Sequence, residues 1–317
     1  MEILLVFHPD IPFYRKRSSV HQYPSIIISV PPIDSARPRR SLLPVTLQVQ
    51  RASESAPQSN NTMATPHIGA QFIIFGRQYN VDEDFDIILD QLAAAGYAAI
   101  EASYKDPALL RQKLISRGMV FAGSHVGPRA LLEKLPEQID FLKKARSYDI
   151  CNSGCLDWKH DTLDKVETSI KIINDAGKKL RDAGIRLHYH NHDFEFLVQF
   201  NGKRIIDIML EQFDPKAVDL CVDVAWVRRG NDDPAAFLKK HASRTGYLHL
   251  KDFEADAEGK FVRWCELGSG AVDYRAIMPV LPSLNQVQFA IVEQDQPCGN
   301  AMLNMANSRA YLKSLGL

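Results

Sequence analysis

The feature that most constrains the fold is a strict alternation between strand-like and helix-like segments, which runs from His67 to the C-terminus. Short apolar runs are expected to be strands at His67–Phe75, Tyr97–Ala102, Met119–His125, Asp149–Cys155, Ile185–Asn191, Ala217–Val224, Thr245–Leu250 and Gln286–Glu293. Amphipathic stretches are expected to be helices at Asp82–Ala95, Pro107–Arg117, Pro136–Ser147, Leu163–Ala183, Ile205–Gln212, Asp233–His241, Tyr274–Leu281 and Ala301–Leu315. Regular alternation of this kind requires a parallel sheet. Eight units over about 250 residues favour an α/β fold of the closed (β/α)₈ TIM barrel type over an open doubly wound sheet. A Gly-rich phosphate fingerprint is missing after the first strand, which argues against a dinucleotide-binding fold.

The first 62 residues differ in composition from the rest of the chain. They contain eight of the seventeen prolines and show no hydrophobic periodicity. Sequence of this kind buries too little apolar surface to offset its ordering entropy. We therefore expect residues 1–62 to be a disordered or targeting extension and residues 63–317 to form the barrel. A mistaken start codon and an organelle transit peptide both remain open, whereas a secretory signal is disfavoured because the apolar stretch Met1–Phe7 is short.

Charge and cysteine content narrow the class of protein. The formal net charge is zero, so the sequence does not favour nucleic acid or an anionic membrane as a partner. Its apolar runs are shorter than the ~18–20 residues of a membrane-spanning helix. The five cysteines are an odd number in a long chain, which disfavours a secreted disulfide scaffold. We expect a cytoplasmic protein, with organelle targeting and a homo-oligomer both left open.

Polar side chains fall near the C-terminal ends of several predicted strands. These residues are His125, His190, His192, Asp223, His249 and Glu293. In a TIM barrel those strand ends form one rim, where active sites are built. A single His or Asp at a strand end usually has a structural role, but four such residues on four neighbouring strands converge on one place. The predicted metal ligands are His190, Asp223, His249 and Glu293. Mixed imidazole and carboxylate ligands suit Mn²⁺, Zn²⁺, Co²⁺ or Fe²⁺, whereas a mostly oxygen set would favour Mg²⁺.

Five short motifs resemble those of a known family. They are Tyr189-His190-Asn191-His192-Asp193-Phe194-Glu195-Phe196, Asp223-Val224-Ala225-Trp226, His249-Leu250-Lys251-Asp252, Gly268-Ser269-Gly270 with Asp273-Tyr274, and Val292-Glu293-Gln294-Asp295. Together they resemble the sugar phosphate isomerase/epimerase group, which has the xylose isomerase-like TIM barrel fold shared with endonuclease IV of AP endonuclease family 2. The resemblance runs from about His67 to the C-terminus and leaves the first 62 residues uncovered.

The resemblance implies one divalent ion, Mn²⁺, Mg²⁺, Co²⁺ or Zn²⁺, held by a Glu, an Asp, a His and a second Glu. Asp223, His249 and Glu293 match the last three positions. His190 stands where many members have Glu, and the nearby Glu195 is the alternative ligand. In epimerases of the group, two metal-bound Glu residues pass a proton across the substrate. The replacement by His190 puts that symmetrical shuttle in doubt.

The remaining candidates have roles at the substrate. Glu293 is expected to be the base or proton donor, with His125 or His192 as its counterpart. His125 has the alternatives of binding a substrate hydroxyl or making a structural hydrogen bond. Lys251 is expected to stabilise an enolate oxygen or bind an acidic group, with a simple pair to Asp252 as the alternative. Trp226 is expected to form a wall for a sugar ring, or else part of the core.

The expected function is a divalent-metal-dependent isomerase or epimerase that acts on a sugar or keto-sugar through an enediolate. The alternative is a lyase or dehydratase, like inosose dehydratase or a lyase of 3-keto-glycosides, in which the same enolate expels a leaving group. A DNA-repair endonuclease is disfavoured by the neutral charge, and a non-catalytic sugar-binding barrel is the remaining alternative.

Overall fold

A computed structural model describes residues 65–156 and 162–317. The expected extension at residues 1–62 lies outside the described residues. The eight strands that form a closed, parallel barrel are β1 His67–Gln71, β2 Ala99–Glu101, β3 Val120–Val126, β4 Asp149–Ser153, β5 Arg186–His190, β6 Val218–Asp223, β7 Thr245–Leu250 and β8 Phe289–Val292. Each strand pairs with its sequence neighbours, and β1 pairs with β8 to close the sheet. The predicted TIM barrel is confirmed.

Helices surround the barrel. They are α1 Phe85–Ala95, α2 Pro107–Ile115, α3 Pro128–Glu133, α4 Leu135–Ala145, α5 Leu163–Asp182, α6 Phe194–Leu197, α7 Ile205–Gln212, α8 Val224–Arg229, α9 Pro234–Lys240, α10 Tyr274–Ile277 and α11 Ala301–Ser314. Helix α1 ends at Gly96 with φ of 95°, a left-handed conformation that glycine adopts without steric cost. Helix α9 begins as predicted, because Asp233 Oδ1 accepts hydrogen bonds from the backbone of Ala235 and Ala236, and Pro234 occupies the first turn. Within the described ranges no helix is long and apolar enough to cross a membrane.

The core has two layers. The outer layer packs the apolar faces of the helices against the strands and includes Ile88, Leu92, Ile170, Tyr189 and Leu248. The barrel interior holds a smaller cluster, which consists of Ala99, Ala122, Cys151, Cys221, Tyr247, Phe289 and Ile291. Four of the five cysteines are buried, and none of the five forms a disulfide. The buried cysteines are therefore part of the packed core.

Some predicted elements are shorter than expected. The first strand ends at Gln71, and Phe72–Arg77 forms a 3₁₀ helix whose first turn is capped by the Gln71 side chain. The predicted helix Tyr274–Leu281 gives way after Ile277 to a 3₁₀ segment, Met278–Ser283, which contains two prolines that lack backbone N–H donors. Two antiparallel pairs of strands were missed: Gln199–Phe200 with Lys203–Arg204, and Asp252–Ala255 with Phe261–Cys265.

The loop after the second pair is held by one buried carboxylate. Asp252 accepts hydrogen bonds from four backbone N–H groups, those of Phe253, Gly268, Gly270 and Val272, at 2.9–3.1 Å. A Cβ on Gly270 would overlap Asp252 Oδ1 and Phe253 O, which explains the second glycine of the Gly-Ser-Gly motif. This motif therefore folds the loop that follows the hairpin, and Asp252 is not a partner of Lys251.

Candidate functional site

Four neighbouring strands place one side chain each at the C-terminal rim of the barrel. His190 ends β5, Asp223 ends β6, His249 lies in β7, and Glu293 follows β8. All four side chains are buried, and one ligand-type atom from each lies within 4.8 Å of the other three. Parallel pairing sets this arrangement: Asp223 pairs with His249, and the backbone N–H of Glu293 donates to Leu250 O at 3.0 Å. The structure therefore brings the four predicted ligands together.

Four buried polar atoms meet at the centre of this cluster: His190 Nε2, Asp223 Oδ2, His249 Nδ1 and Glu293 Oε2. In the described part of the chain, His249 Nδ1 and Glu293 Oε2 form an ion pair with each other, whereas His190 Nε2 and Asp223 Oδ2 make no hydrogen bond. His190 Nε2 lies 3.4 Å from Asp223 Oδ2 and 3.9 Å from Glu293 Oε2. Buried polar atoms without hydrogen bonds are costly, so the two unpartnered atoms of His190 and Asp223, beside the paired His249 and Glu293, indicate a partner that all four residues can share. Two imidazole nitrogens and two carboxylate oxygens are the ligand types that suit a divalent transition ion. The residues present therefore fit the expected metal.

Asp223 combines a structural role with its place in the cluster. Its Oδ1 accepts hydrogen bonds from the backbone of Ala225 at 2.9 Å and of Trp226 at 3.0 Å, which caps α8. The Asn191 side chain bridges to the backbone of the same residue, because Asp223 N donates to Asn191 Oδ1 at 3.1 Å. These bonds fix the carboxylate so that Oδ2 faces the other three side chains. A helix cap and a metal ligand are thus compatible in one residue.

A buried carboxylate that the sequence analysis missed lies behind the cluster. Glu101, the last residue of β2, has no exposed surface. Its Oε2 lies 3.2 Å from His249 Nε2, and its Oε1 lies 3.0 Å from His125 Nδ1. The His125 ring also packs against the rings of His190 and His249, with centroid distances of 4.9 and 5.4 Å. His125 therefore borders the cluster, and Glu101 connects it to a cluster imidazole.

Lys251 lies beside the cluster with its side chain fully buried. Its ammonium is 3.0 Å from Glu293 Oε1 and 2.9 Å from Asp295 Oδ2. The same ammonium lies over the Trp264 ring at 4.4 Å from the centroid and over the Trp226 ring at 5.0 Å. Asp295 belongs to one of the five motifs but no role was expected for it, and Trp264 was not singled out from the sequence.

The electrostatic surroundings differ among the four predicted ligands. Burial by itself would raise the pKa of Glu293, but the neighbouring Lys251 and His249 hold the pKa well below its ordinary value. Burial, together with His249 and His125, lowers the pKa of His190 well below the usual range. Burial opposes a charge on His249 as well, yet Glu101 and Glu293 raise its pKa well above the usual value. Burial raises the pKa of the Asp223 carboxyl. The pKa shifts therefore differ between the two carboxylates and also between the two imidazoles.

An aromatic wall flanks the cluster. Trp226 contacts His192 at a ring-centroid distance of 5.0 Å and Trp264 at 4.9 Å. The guanidinium of Arg229 lies over Trp226 at 4.5 Å and pairs with Asp193 at 3.0 Å. Trp264 comes from the hairpin after β7, so this unpredicted hairpin supplies part of the wall. The structure places His192 and Trp226 together at this wall, next to the cluster.

Glu195 lies apart from the cluster. Its Oε1 accepts a hydrogen bond from Tyr189 OH at 2.7 Å, and its Oε2 accepts one from the backbone of His192 at 2.8 Å. Both oxygens are therefore occupied, and Glu195 is not among the four residues whose atoms converge. Burial raises the pKa of this carboxyl to about 8. The geometry supports His190, rather than Glu195, as the fourth ligand.

The barrel and its rim define the class of protein, and a family model supports the same assignment. The xylose isomerase-like TIM barrel family matches residues 89–315, so the chain belongs to this family. The expected resemblance is thereby confirmed.

The chain is also similar to individual proteins whose activities are named. The chain is similar to an inosose dehydratase from Geobacillus kaustophilus, with 25% identity over 252 residues that cover 67% of this chain and 80% of the relative. Among solved structures, it is similar to a sugar phosphate isomerase/epimerase from Parabacteroides distasonis, with 22% identity, a TM-score of 0.64, and coverage of 80% and 96% of the two chains. It is also similar to the IOLI protein with a bound zinc atom, with 10% identity, a TM-score of 0.63, and coverage of 78% and 97%. The chain is an enzyme of this family, whose related proteins are named both as isomerases and as dehydratases.

Proposed function

We propose that this enzyme is a metal-dependent lyase that removes water or another leaving group from an inosose or a related keto-sugar. The observation that carries the proposal is the asymmetry of the proton-transfer groups. The cluster contains a single Glu, Glu293, and His190 stands where many members of the family have a second Glu. An imidazole that binds an ion through one nitrogen and is protonated on the other has no lone pair left to accept a proton. Elimination needs no matched pair of glutamates, and the name of the Geobacillus kaustophilus relative agrees with this chemistry.

The proposed ion would be held by His190, Asp223, His249 and Glu293. It would act as a Lewis acid, stabilising the negative charge that develops on the substrate carbonyl oxygen. The bound zinc atom of one related structure and the two imidazoles support a transition ion such as Zn²⁺, Mn²⁺ or Co²⁺ over Mg²⁺.

His125 is the proposed base. Its Nδ1 is engaged by Glu101, and its side chain is 18% exposed, whereas Glu101 has no exposed surface. Glu293, by contrast, is held by Lys251 and by its place in the cluster. In the proposed reaction His125 accepts the proton from the carbon next to the carbonyl, and the resulting imidazolium returns that proton to the departing hydroxyl as water. Lys251 contributes a positive charge beside the developing oxyanion, and Trp226 packs against the ring of the substrate.

The charge of the site favours a neutral substrate. Four buried or largely buried carboxylates surround the centre, those of Glu101, Asp223, Glu293 and Asp295. Lys251 is the cation that pairs with this group in the described structure. One divalent ion added to these groups leaves the centre slightly negative, which disfavours a phosphate close to the reacting carbons. A polyhydroxylated ketone without phosphate fits this environment.

A screen of substrates tests the proposal. Protein loaded with Zn²⁺, Mn²⁺ or Co²⁺ is incubated with inososes, ketoses and 3-keto-glycosides, and the products are identified by NMR. We expect an unsaturated or dicarbonyl product from an inosose or keto-glycoside, and little turnover of phosphorylated sugars. The variant His125→Gln should retain the ion and lose turnover, roughly 10²–10⁴-fold. The control His241→Gln changes a His at the C-terminal end of α9 and should behave like the unmodified enzyme.

Isomerisation or epimerisation is the second candidate. It is favoured by the name of the Parabacteroides distasonis structure and by the presence of Glu293, which matches one of the two family glutamates. In this reaction the proton returns to carbon, and the substrate keeps its mass. A ketose converted to an isomer in the screen would support this candidate over elimination.

A further inference from the structure

A single buried carboxylate connects the two imidazoles that the proposed reaction uses for different purposes. Glu101 Oε2 faces His249 Nε2 at 3.2 Å, and Glu101 Oε1 faces His125 Nδ1 at 3.0 Å. Neither oxygen is available to solvent, because the side chain has no exposed surface. An ionised carboxylate accepts hydrogen bonds and donates none. Both facing ring nitrogens must therefore carry the hydrogen.

We propose that Glu101 is a positioning residue that fixes the tautomers of His249 and His125 together. With hydrogen on its Nε2, His249 presents Nδ1, the nitrogen that contacts Glu293 Oε2, as a lone pair for the ion. With hydrogen on its Nδ1, His125 keeps a lone pair on Nε2 as a base for the substrate. The tautomer of His249 does not depend on the proposed lyase reaction, whereas the role of His125 as a base rests on that reaction.

The backbone of β2 and β3 is shaped so that Glu101 and His125 lie next to each other. The pairing of β2 with β3 shifts register, since Ile100 pairs with Phe121 and Glu101 pairs with Gly123. The extra residue in β3 forms a bulge, and bulges re-aim side chains near active sites. Gly123 is required at that point because a Cβ there would lie 2.6 Å from Asp149 O. The bulge brings the ends of β2 and β3, with Glu101 and His125, into contact with each other.

The substitution Glu101→Gln separates the two effects. A glutamine side chain has one acceptor oxygen and one donor NH₂ group, so it cannot accept from both imidazoles. An ion at His249 Nδ1 keeps the hydrogen on His249 Nε2, which claims the glutamine oxygen. The amide nitrogen then faces His125 Nδ1 and donates to it, which moves the hydrogen of His125 to Nε2. The variant should hold its ion and lose the base.

Side-chain ¹⁵N NMR of the histidines in the zinc-loaded, full-length protein tests this directly. In the unmodified enzyme we expect a protonated Nδ1 and an unprotonated Nε2 for His125. In Glu101→Gln we expect the reverse for His125, with zinc content unchanged. The control is Glu195→Gln, a second fully buried Glu outside the cluster, which should leave the His125 tautomer as it is.

Turnover gives a second measurement. We expect kcat of Glu101→Gln to fall roughly 10²–10⁴-fold, the contribution typical of a general base, with KM nearly unchanged. Glu101→Ala should also weaken zinc binding by roughly 10–100-fold, as loss of a partner behind a metal ligand does.

Two results would overturn the proposal: a His125 that carries its hydrogen on Nε2 in the unmodified enzyme, or an unchanged His125 tautomer in Glu101→Gln. The measurement on the unmodified enzyme decides the matter even if the variant does not fold. Failure of the proposed lyase reaction would look different, since the tautomers would stand as expected while no keto-sugar was converted.

Discussion

Lys251 Nζ lies 3.0 Å from Glu293 Oε1, and the lysine side chain of this pair has no exposed surface. Such a pair contributes little to stability as a unit, but removal of one partner leaves a buried charge that costs about 3–5 kcal/mol. Here the lysine neutralises part of a carboxylate group that includes Glu293, Asp223 and Asp295.

The variant Lys251→Met is therefore expected to destabilise the metal-free enzyme. The methionine keeps an apolar stem next to Trp226 and Trp264 but leaves the carboxylates without their cation. The free energy of unfolding should fall by about 3–5 kcal/mol, and added Zn²⁺ should recover part of the loss because it neutralises the same carboxylates. Urea unfolding with and without zinc measures both effects. Lys313→Met, at the end of α11, is the control, and equal losses in the two variants would refute the electrostatic explanation.

Substitution of each proposed ligand is expected to weaken metal binding. Asp223→Asn, His249→Ala and Glu293→Gln each remove one of the four converging side chains, and His190→Ala tests the ligand that departs from the family pattern. Each change should weaken zinc binding by more than the ~10–100-fold that is typical for a partner behind a ligand. Zinc content after dialysis, measured by inductively coupled plasma mass spectrometry, gives the result. Full zinc occupancy in all four variants would show that these residues do not form the metal centre.

The buried Glu195 predicts a pH-dependent stability. Burial raises its pKa to about 8, above the ordinary value of 4.5. Between these two values the folded protein binds a proton that the unfolded chain does not. This contribution is therefore complete below pH 4.5 and is lost as the pH rises through 8.

Glu195→Gln has no such proton and should be relatively more stable at pH 9 than at pH 6, when each is compared with the unmodified enzyme. A relative gain of 1 kcal/mol corresponds to a Tm shift of about 2–4 °C in a domain of this size. Thermal unfolding of the metal-free proteins at the two pH values provides the measurement. A Tm difference that does not change with pH would show that this carboxyl is already ionised at pH 6.

Residues 1–62 precede a barrel that begins at His67, and β1 already pairs with both β2 and β8. We expect a chain that starts at Met63 to keep its fold, its zinc content and its activity. Its Tm should lie within a few degrees of the full-length value. A larger fall, measured by differential scanning calorimetry at matched zinc content, would show that the barrel depends on the N-terminal segment.

The barrel could be predicted because the spacing of apolar residues shows which face of each segment is buried, and this spacing differs between strands and helices. It also predicted which residues meet at the rim, since parallel strands bring their C-terminal ends to one place. His190, Asp223, His249 and Glu293 could be singled out because each lies at the end of an apolar strand.

Glu101 ends a strand in the same way but was missed, since its strand is only three residues long and no other candidate ligand lies near it in the sequence. Its role depends on contacts with His125 and His249, which are 24 and 148 residues away in the chain. The roles of Asp295 and Trp264 were missed for the same reason, because these roles come from contacts with Lys251. Glu195 is the opposite case. It lies close to His190 and His192 in the sequence, but its side chain accepts a hydrogen bond from Tyr189 and stays outside the cluster.

The mass of the first product tests the central proposal most directly. The zinc-loaded enzyme is given an inosose in D₂O, and the product is analysed by mass spectrometry and ultraviolet absorbance. Elimination predicts a product that has lost one water and absorbs as a conjugated or dicarbonyl compound, and Glu101→Gln should form it far more slowly. A product of unchanged composition that carries deuterium next to the carbonyl would contradict elimination and establish an isomerase or epimerase.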